Sequence, residues 1–479
     1  MLIEELSRLT LTEVTECYAS GRLCPVMVME ATIAQAEAAN NSINALYDLQ
    51  ADRCLAEAEA SRQRYRTGSS LGLLDGIPVT IKDSIHAAGM HWHHGSAAHG
   101  SGVEGMKDAP PTIALKRAGA LIFAKTVMSD FGLSSSGVSS SHGIVRNPWG
   151  LGWSTGGSSA GAGASLAAGI GMAAVGTDIA GSVRLPASHC GLAALKPTQG
   201  LIAHTPPSTV RSAGPMARYA ADLEPMLRVL GGVHRDDCYS APFPAVHAGS
   251  DLPRRVTVCL DFGFGPQLED EVAVVVEQAA QALAELAFEV RFEDRGFDFD
   301  AYLPIDDSLK LRGWREYSAT AQNFRAAVPS QLVDWLMPAS EWGEAQIAEM
   351  DKGIARTISG ANALLDKADM LLTPVMHLVN FPAGDLGPDP DMPLRHATFT
   401  APFNQSGHPA ATICGGFSAS GLPIGIQLIG HRFDDIRLVR TATLLEERLR
   451  QTRATQMLWP LQPKPLARQP VHGGNGVLV

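Results

Sequence analysis

The sequence predicts an α/β protein whose mainly parallel or mixed β-sheet is covered by helices on both faces. Two strand–helix–strand successions carry this prediction. The first runs from DGIPVTIK through PPTIALKRAG to ALIFAKT, the second from RRVTVCLD through EDEVAVVVEQAAQALAELA to FEVRFE. A third observation is a set of apolar strand candidates toward the C-terminus, DMLLTPVM, AATICGGF and PIGIQLIG, separated by Gly and Pro signals.

Each element has a local reason. Residues 1–66 read as helix: Thr12 is placed to cap a first turn, and EATIAQAEAANNSINALYDLQ repeats apolar residues at helical spacing. Ile77 to Ile81 is a short β-branched run behind an Asp-Gly turn, the pattern of a buried strand. A helix then ends at Gly119 before ALIFAK. Residues 131–176 are dominated by Gly, Ser and Ala, with a helix expected from about Ala160 to Leu166. DDIRLVRTATLLEERLR is an amphipathic helix, and residues 461–479 read as a loose tail. The Pro-rich stretch 241–254 is a candidate linker, and no repeat of 20–50 residues is present.

Composition removes several function classes. A chain of 479 residues, 45% apolar and 18% charged, has the make-up of a folded protein that needs no disulfide or metal to fold. The charge of −11, without a Lys/Arg-rich run, excludes an electrostatic grip on nucleic acid or an anionic membrane. Seven scattered cysteines without a C-x-x-C pair fit neither a secreted disulfide framework nor structural zinc. The start MLIEELSRLTLTE lacks the basic region of a signal peptide, and no stretch has the apolar length of a membrane span. A cytoplasmic location is the expectation.

Three nucleophile readings compete in the Gly/Ser region. Gly152-Trp-Ser154-Thr-Gly156 matches the G-x-S-x-G elbow of Ser-His-Asp hydrolases, but a turn leads into it where that elbow needs a strand. Gly169-Ile-Gly171-Met-Ala-Ala174 matches a dinucleotide fingerprint without the preceding strand or following helix, which leaves small-residue packing. The third reading pairs Ser158, in GGSSAG, with Ser182, in GTDIAGS. Flanking glycines permit unusual backbone geometry at the first, and successive N–H groups before the second make a ready oxyanion hole. Lys82, ending the apolar strand IPVTIK, would supply the base, because burial lowers a lysine's pKa from about 10.4 toward neutrality.

The run GGSSAGAGASLAAGIGMAAVGTDIAGSVRLPASHCGLAALKPTQG resembles the signature segment of the amidase signature family of serine hydrolases. DGIPVTIKDSI, RNPW, SAGPMAR and TAPFNQSGHPAATICGGFSASGLPIGIQLIG also match that family, so the likeness covers most of residues 10–450. It implies one large α/β domain over 67–460, with 1–66 packed on it, rather than the three domains that length alone suggests. It also implies a triad of Lys82, Ser158 reached through a cis peptide bond, and the nucleophile Ser182, with no cofactor and no metal. The backbone N–H groups of Ile179, Ala180, Gly181 and Ser182 would hold the oxyanion. Ala160 and Ala180 stand where the family usually has Gly, and both are small.

Other residues carry open readings. Asp178 and Arg184 flank the nucleophile turn as scaffold, bonded to loop backbone or to each other. The five histidines of residues 86–99 (His86, His91, His93, His94, His99) are either a transition-metal site or polar loop residues beside the active site. Cys190 reads as a packed small residue. Gly132, Trp153 and Phe399 are candidate pocket residues, while Trp149 and Trp153 could equally pack under the serine loop.

The resemblance leads to an amidase acting on a small-molecule aryl or alkyl amide, with assembly as a homodimer left open. A glutaminase-type A subunit of a tRNA-dependent amidotransferase is the alternative, and cleavage of carbamates or esters a further one. In the glutaminase subunits an acid stands seven positions before the Asn of P-x-N. Counting back from Asn404 gives Ala397, so the carboxylate that would pair a substrate ammonium is missing, while Phe399 and Phe403 suit an apolar group.

Overall fold

A computed structural model describes residues 2–105, 107–244, 252, 254–452 and 459–465. Its helices α1 (Leu2–Leu6), α2 (Leu11–Ser20), α3 (Pro25–Ile43) and α4 (Ala51–Arg66) account for the N-terminal helical segment, interrupted by strand β1 (Leu46–Tyr47). The cap of α2 is Thr10 rather than Thr12. Its hydroxyl accepts the Glu13 N–H, while the Glu13 carboxylate accepts the Thr10 N–H at 2.7 Å, a reciprocal pair that satisfies two orphan donors. Gly21, at φ 75°, ends α2 in the left-handed conformation.

The remaining strands of the main sheet, two short two-stranded sheets aside, are β2 (Pro78–Lys82), β3 (Leu121–Thr126), β4 (Ala173–Asp178), β5 (Ala193–Lys196) and β6 (Ser212–Ala217). They continue with β7 (Arg255–Cys259), β8 (Glu289–Glu293), β9 (Met370–Pro374), β10 (Ala410–Phe417) and β11 (Pro423–Gly430). Together they form one eleven-stranded sheet in the order β1-β3-β2-β4-β6-β5-β10-β11-β9-β7-β8. Both strand–helix–strand successions fold as parallel pairs: β2 with β3 around α5 (Pro110–Arg117), and β7 with β8. The middle of the sheet, from β4 to β9, pairs antiparallel, so the sheet is mixed.

The central strands bury every residue, which explains why β2, β3 and β4 read as continuous apolar or small-residue runs rather than alternating ones. One large core joins Leu11, Val14 and Val28 of the N-terminal helices to Ile77 and Val79 of the sheet region and to Leu438 of the C-terminal helix Asp435–Thr452. The Gly/Ser region holds α6 (Ala160–Ala167), and α7 (Arg184–Cys190) follows β4. Among the described residues no helix is long and apolar enough to cross a membrane.

Two expectations meet the structure at the edges. Most of stretch 241–254 and residues 466–479 lie outside the described residues. Residues 461–465, expected to begin a loose tail, are anchored. Leu461 O accepts from Gln35 Nε2 at 2.7 Å, and Lys464 exchanges backbone hydrogen bonds with Pro148 and Leu151.

Candidate active site

Lys82 ends β2 between its parallel neighbours β3 and β4, so its stem is enclosed on both sides and the residue has no solvent exposure. Its Nζ donates to Ser158 Oγ at 2.8 Å and to Thr177 O at 3.3 Å. Burial pushes its pKa well below the usual lysine value, and Arg211 and Arg312 push the same way. Asp178 and Asp83 only partly oppose this. The neutral amine is thereby favoured, with a lone pair beside a serine hydroxyl.

Ser158 sits just ahead of α6, and the Gly157–Ser158 peptide bond is cis. A side chain at Gly157 would meet Ser136 O at 2.1 Å, so only glycine fits there. The Ser159 N–H donates to Ser182 O at 3.2 Å, tying the serine loop to the turn between β4 and α7. Ser158 and Ser182 consequently line the same narrow cavity floor, together with Gly132, Thr177 and Ile179.

The turn carrying Ser182 is built around a buried ion pair. Arg184 Nε and Nη2 each donate to the Asp178 carboxylate at 3.0 Å, and neither side chain is exposed. Asp178 also accepts the Gly181 N–H at 2.7 Å and the Val183 N–H at 3.3 Å. Burial would raise its pKa, but Arg184 and the Asn404 amide outweigh that and hold it at about 2. Asn404, Thr400 and Gln427 brace the assembly from the C-terminal part of the chain. Arg184 donates to Asn404 Oδ1, Thr400 O and Gln427 Oε1, and Thr400 Oγ1 donates to Ala180 O.

This geometry alters the expected oxyanion donors. The Gly181 N–H is committed to Asp178 and unavailable to a substrate. The amides of Ile179, Ala180 and Ser182 take no acceptor among the described residues. At Gly181, φ is 133° and a Cβ would lie 2.5 Å from Thr400 Oγ1, so glycine is required there for the tight turn.

Several sequence candidates lie elsewhere. Phe399 and Phe403 are buried in an aromatic core, Phe399 packing 4.8 Å from Phe262, and Ala397 is fully enclosed. Trp153 bridges to Pro382, and Trp149 packs against Trp459 and Phe417 while donating to Cys190 O. None of these four aromatic side chains lines the cavity: Phe399, Phe403 and Trp149 are buried in the interior, and Trp153 is half-buried beside Pro382. Ser154 Oγ accepts the Gly156 N–H at 3.0 Å, a turn contact. Burial raises the Cys190 thiol far above its ordinary value.

Three of the loop histidines enter two groups with ligand-type atoms within 4.8 Å of one another: Asp83, His93 and His142, and His94, His99 and Glu316; His86 and His91 belong to neither. Either group could hold a metal ion by composition. Asp83 already accepts from Tyr47 Oη and from the N–H groups of His93 and Gly95, while His94 Nδ1 bonds Glu316. His142 and Glu316 are distant in sequence, which hid both groups.

Above the floor opens a cavity of about 340 Å³, lined by Trp92, His94, Ile179, Arg211, Arg312 and Glu316 among others. The two arginines escaped the sequence reading. Arg211 directly precedes SAGPMAR, and Arg312 lies on α10, counted after α8 (Leu223–Leu230) and α9 (Asp270–Glu285) and spanning Tyr302–Ala319.

Comparison with known proteins agrees with this architecture. The family described as Amidase matches residues 27–439. The glutamyl-tRNA(Gln) amidotransferase A subunit of Synechococcus sp. (strain CC9605) is 30% identical, covering 89% of this chain and 94% of that protein. Its namesake from Chloroflexus aggregans is 31% identical, covering 91% and 95%. Among solved structures, a 6-aminohexanoate cyclic dimer hydrolase complexed with substrate superposes with a TM-score of 0.82 at 26% identity, covering 95% of this chain and all of that one. A bacterial aryl acylamidase of the amidase signature enzymes shares the fold, with a TM-score of 0.82 at 23% identity over 92% and 96% of the two chains. The chain belongs to the amidase family, the amidase signature enzymes.

Proposed function

We propose that this protein hydrolyses a carboxylic amide through an acyl-enzyme on Ser182. The observation that carries the reading is the 2.8 Å bond from the fully buried Lys82 to Ser158 Oγ, on a cavity floor shared with Ser182. Neutral Lys82 takes the Ser158 proton as Ser158 takes that of Ser182, and Ser182 Oγ attacks the amide carbon. The developing oxyanion is met by the N–H groups of Ile179, Ala180 and Ser182, where each donor is worth roughly 10²–10³ in rate. Ser158 returns a proton to the leaving amine, the C–N bond breaks, and Ser158 with Lys82 then activates the water that releases the acid. Water is the sole co-reactant.

A glutaminase role within an amidotransferase is the second reading, supported by the names of the curated relatives. Screening the purified chain without partners against aliphatic, aryl and amino-acid amides, glutamine included, separates the two. Ser182-dependent release of amine or ammonia from simple amides supports the first. Activity confined to glutamine supports the second.

A further inference from the structure

The cavity over Ser182 has a partly apolar wall, with Trp92, Ile179, Pro206, Pro207 and Val210, but it also carries charge. Two guanidinium groups face it, Arg211 and Arg312, from separate elements. Arg211 donates from Nη2 to Pro206 O at 3.0 Å, but its Nε is buried without a partner. Among the described residues it has no carboxylate within ion-pair distance. Arg312 Nη2 donates to Phe131 O at 3.4 Å and stands 3.6 Å from Glu316 Oε2, too long for a hydrogen bond, while Arg312 Nη1 is buried without a partner. Glu316 is itself engaged by His94 Nδ1. The other titratable group on the wall is His86.

Two positive charges therefore face the cavity with one carboxylate, Glu316, which of the two arginines approaches only Arg312, and each arginine keeps an unsatisfied donor. Unmade hydrogen bonds of buried cationic groups are costly, and a planar anion satisfies a guanidinium fork better than any neutral group. We infer that the cavity takes an amide that also bears a carboxylate, with the carboxylate seated between Arg211 and Arg312. This rests on the proposal that Ser182 is the reacting centre, and it names the substrate class of that site. Burial lowers the Arg211 pKa to about 10, with the charge of Arg312 acting in the same direction, and an anion between them would counter that repulsion.

Glutamine bears such a carboxylate but adds an α-ammonium, which the arginines repel. An ω-amidic acid has the carboxylate alone.

The test is calorimetric binding to the Ser182→Ala protein, which separates recognition from chemistry. The probes are the ω-amidic acids from succinamate to adipamate, the corresponding neutral diamides, and glutamine. At least one amidic acid should bind about tenfold or more tighter than its diamide, and tighter than glutamine. Arg211→Gln and Arg312→Gln should each collapse that preference toward one, with Arg211→Lys restoring part of it. Equal or tighter binding of the diamides, survival of the preference in both glutamine variants, or no binding across the series would overturn the inference. Turnover by the wild-type protein reads the hydrolase proposal separately. Amidic acids that bind through the arginines but are never cleaved would leave this inference standing and remove that proposal.

Discussion

Asp178 Oδ1 accepts the Gly181 N–H at 2.7 Å, one residue before Ser182. The same carboxylate grips Arg184 on the far side of the turn, so a single buried anion sets the path of the backbone through the proposed nucleophile.

Asp178→Asn should therefore damage both stability and rate. Neutralising the carboxylate leaves Arg184 as a buried charge without its partner, a loss of about 3–5 kcal/mol in comparable cases. Denaturant unfolding should show a loss of that order, and the rate should fall by at least about tenfold as the turn loosens. A variant with wild-type stability would show that the ion pair does not hold the turn.

Gly181→Ala tests the turn from the steric side. Its φ of 133° is strained for any L side chain, and the new methyl would collide with Thr400 Oγ1 and Leu185. The turnover number should drop by roughly 10²-fold, the size of one lost oxyanion donor, while circular dichroism retains the native fold.

Lys82 makes the site pH-dependent in a stated direction. Its folded pKa is depressed by burial, so the active neutral form is depleted as pH falls through that value, and the rate should decline on the acid side. The unfolded chain holds its lysine proton up to about pH 10.4, so the stability penalty of Lys82 is full below its folded pKa and vanishes above about 10.4. Unfolding of wild type against Lys82→Met should show a stability gap that shifts in favour of wild type as pH rises through this window. A gap independent of pH would mean that Lys82 is not held neutral.

The sheet and the Lys-Ser-Ser strings were legible because their signals are local: β-branched runs, helical spacing, and glycines flanking Ser158 and preceding Ser182. The N-terminal cap was misplaced by two residues because Thr10 and Thr12 both suit a cap, and only the Glu13 side chain distinguishes them. The role of Gly181 was hidden because its amide is claimed by a carboxylate whose orientation depends on Arg184 and Asn404. The cavity walls were hidden for a similar reason. Phe399 looked suited to a pocket but faces Phe262, whereas Arg211 and Arg312 come together only when α10 packs near the turn.

Ser154→Ala should retain most activity, since Ser154 Oγ makes a turn contact with Gly156, whereas Lys82 Nζ bonds Ser158 Oγ and Thr177 O. Kinetics on any turned-over amide checks this, and a loss beyond about tenfold would point to the alternative elbow.

The central claim is that Ser182 is the nucleophile activated through Ser158 by Lys82. Labelling with a fluorophosphonate, followed by mapping of the modified peptide, tests it most directly. Label should be found on Ser182 in the wild-type protein, be absent from Ser182→Ala, and form at least about 10²-fold more slowly in Lys82→Ala. Label on Ser154, or labelling of Ser182 at an unchanged rate without Lys82, would contradict the account.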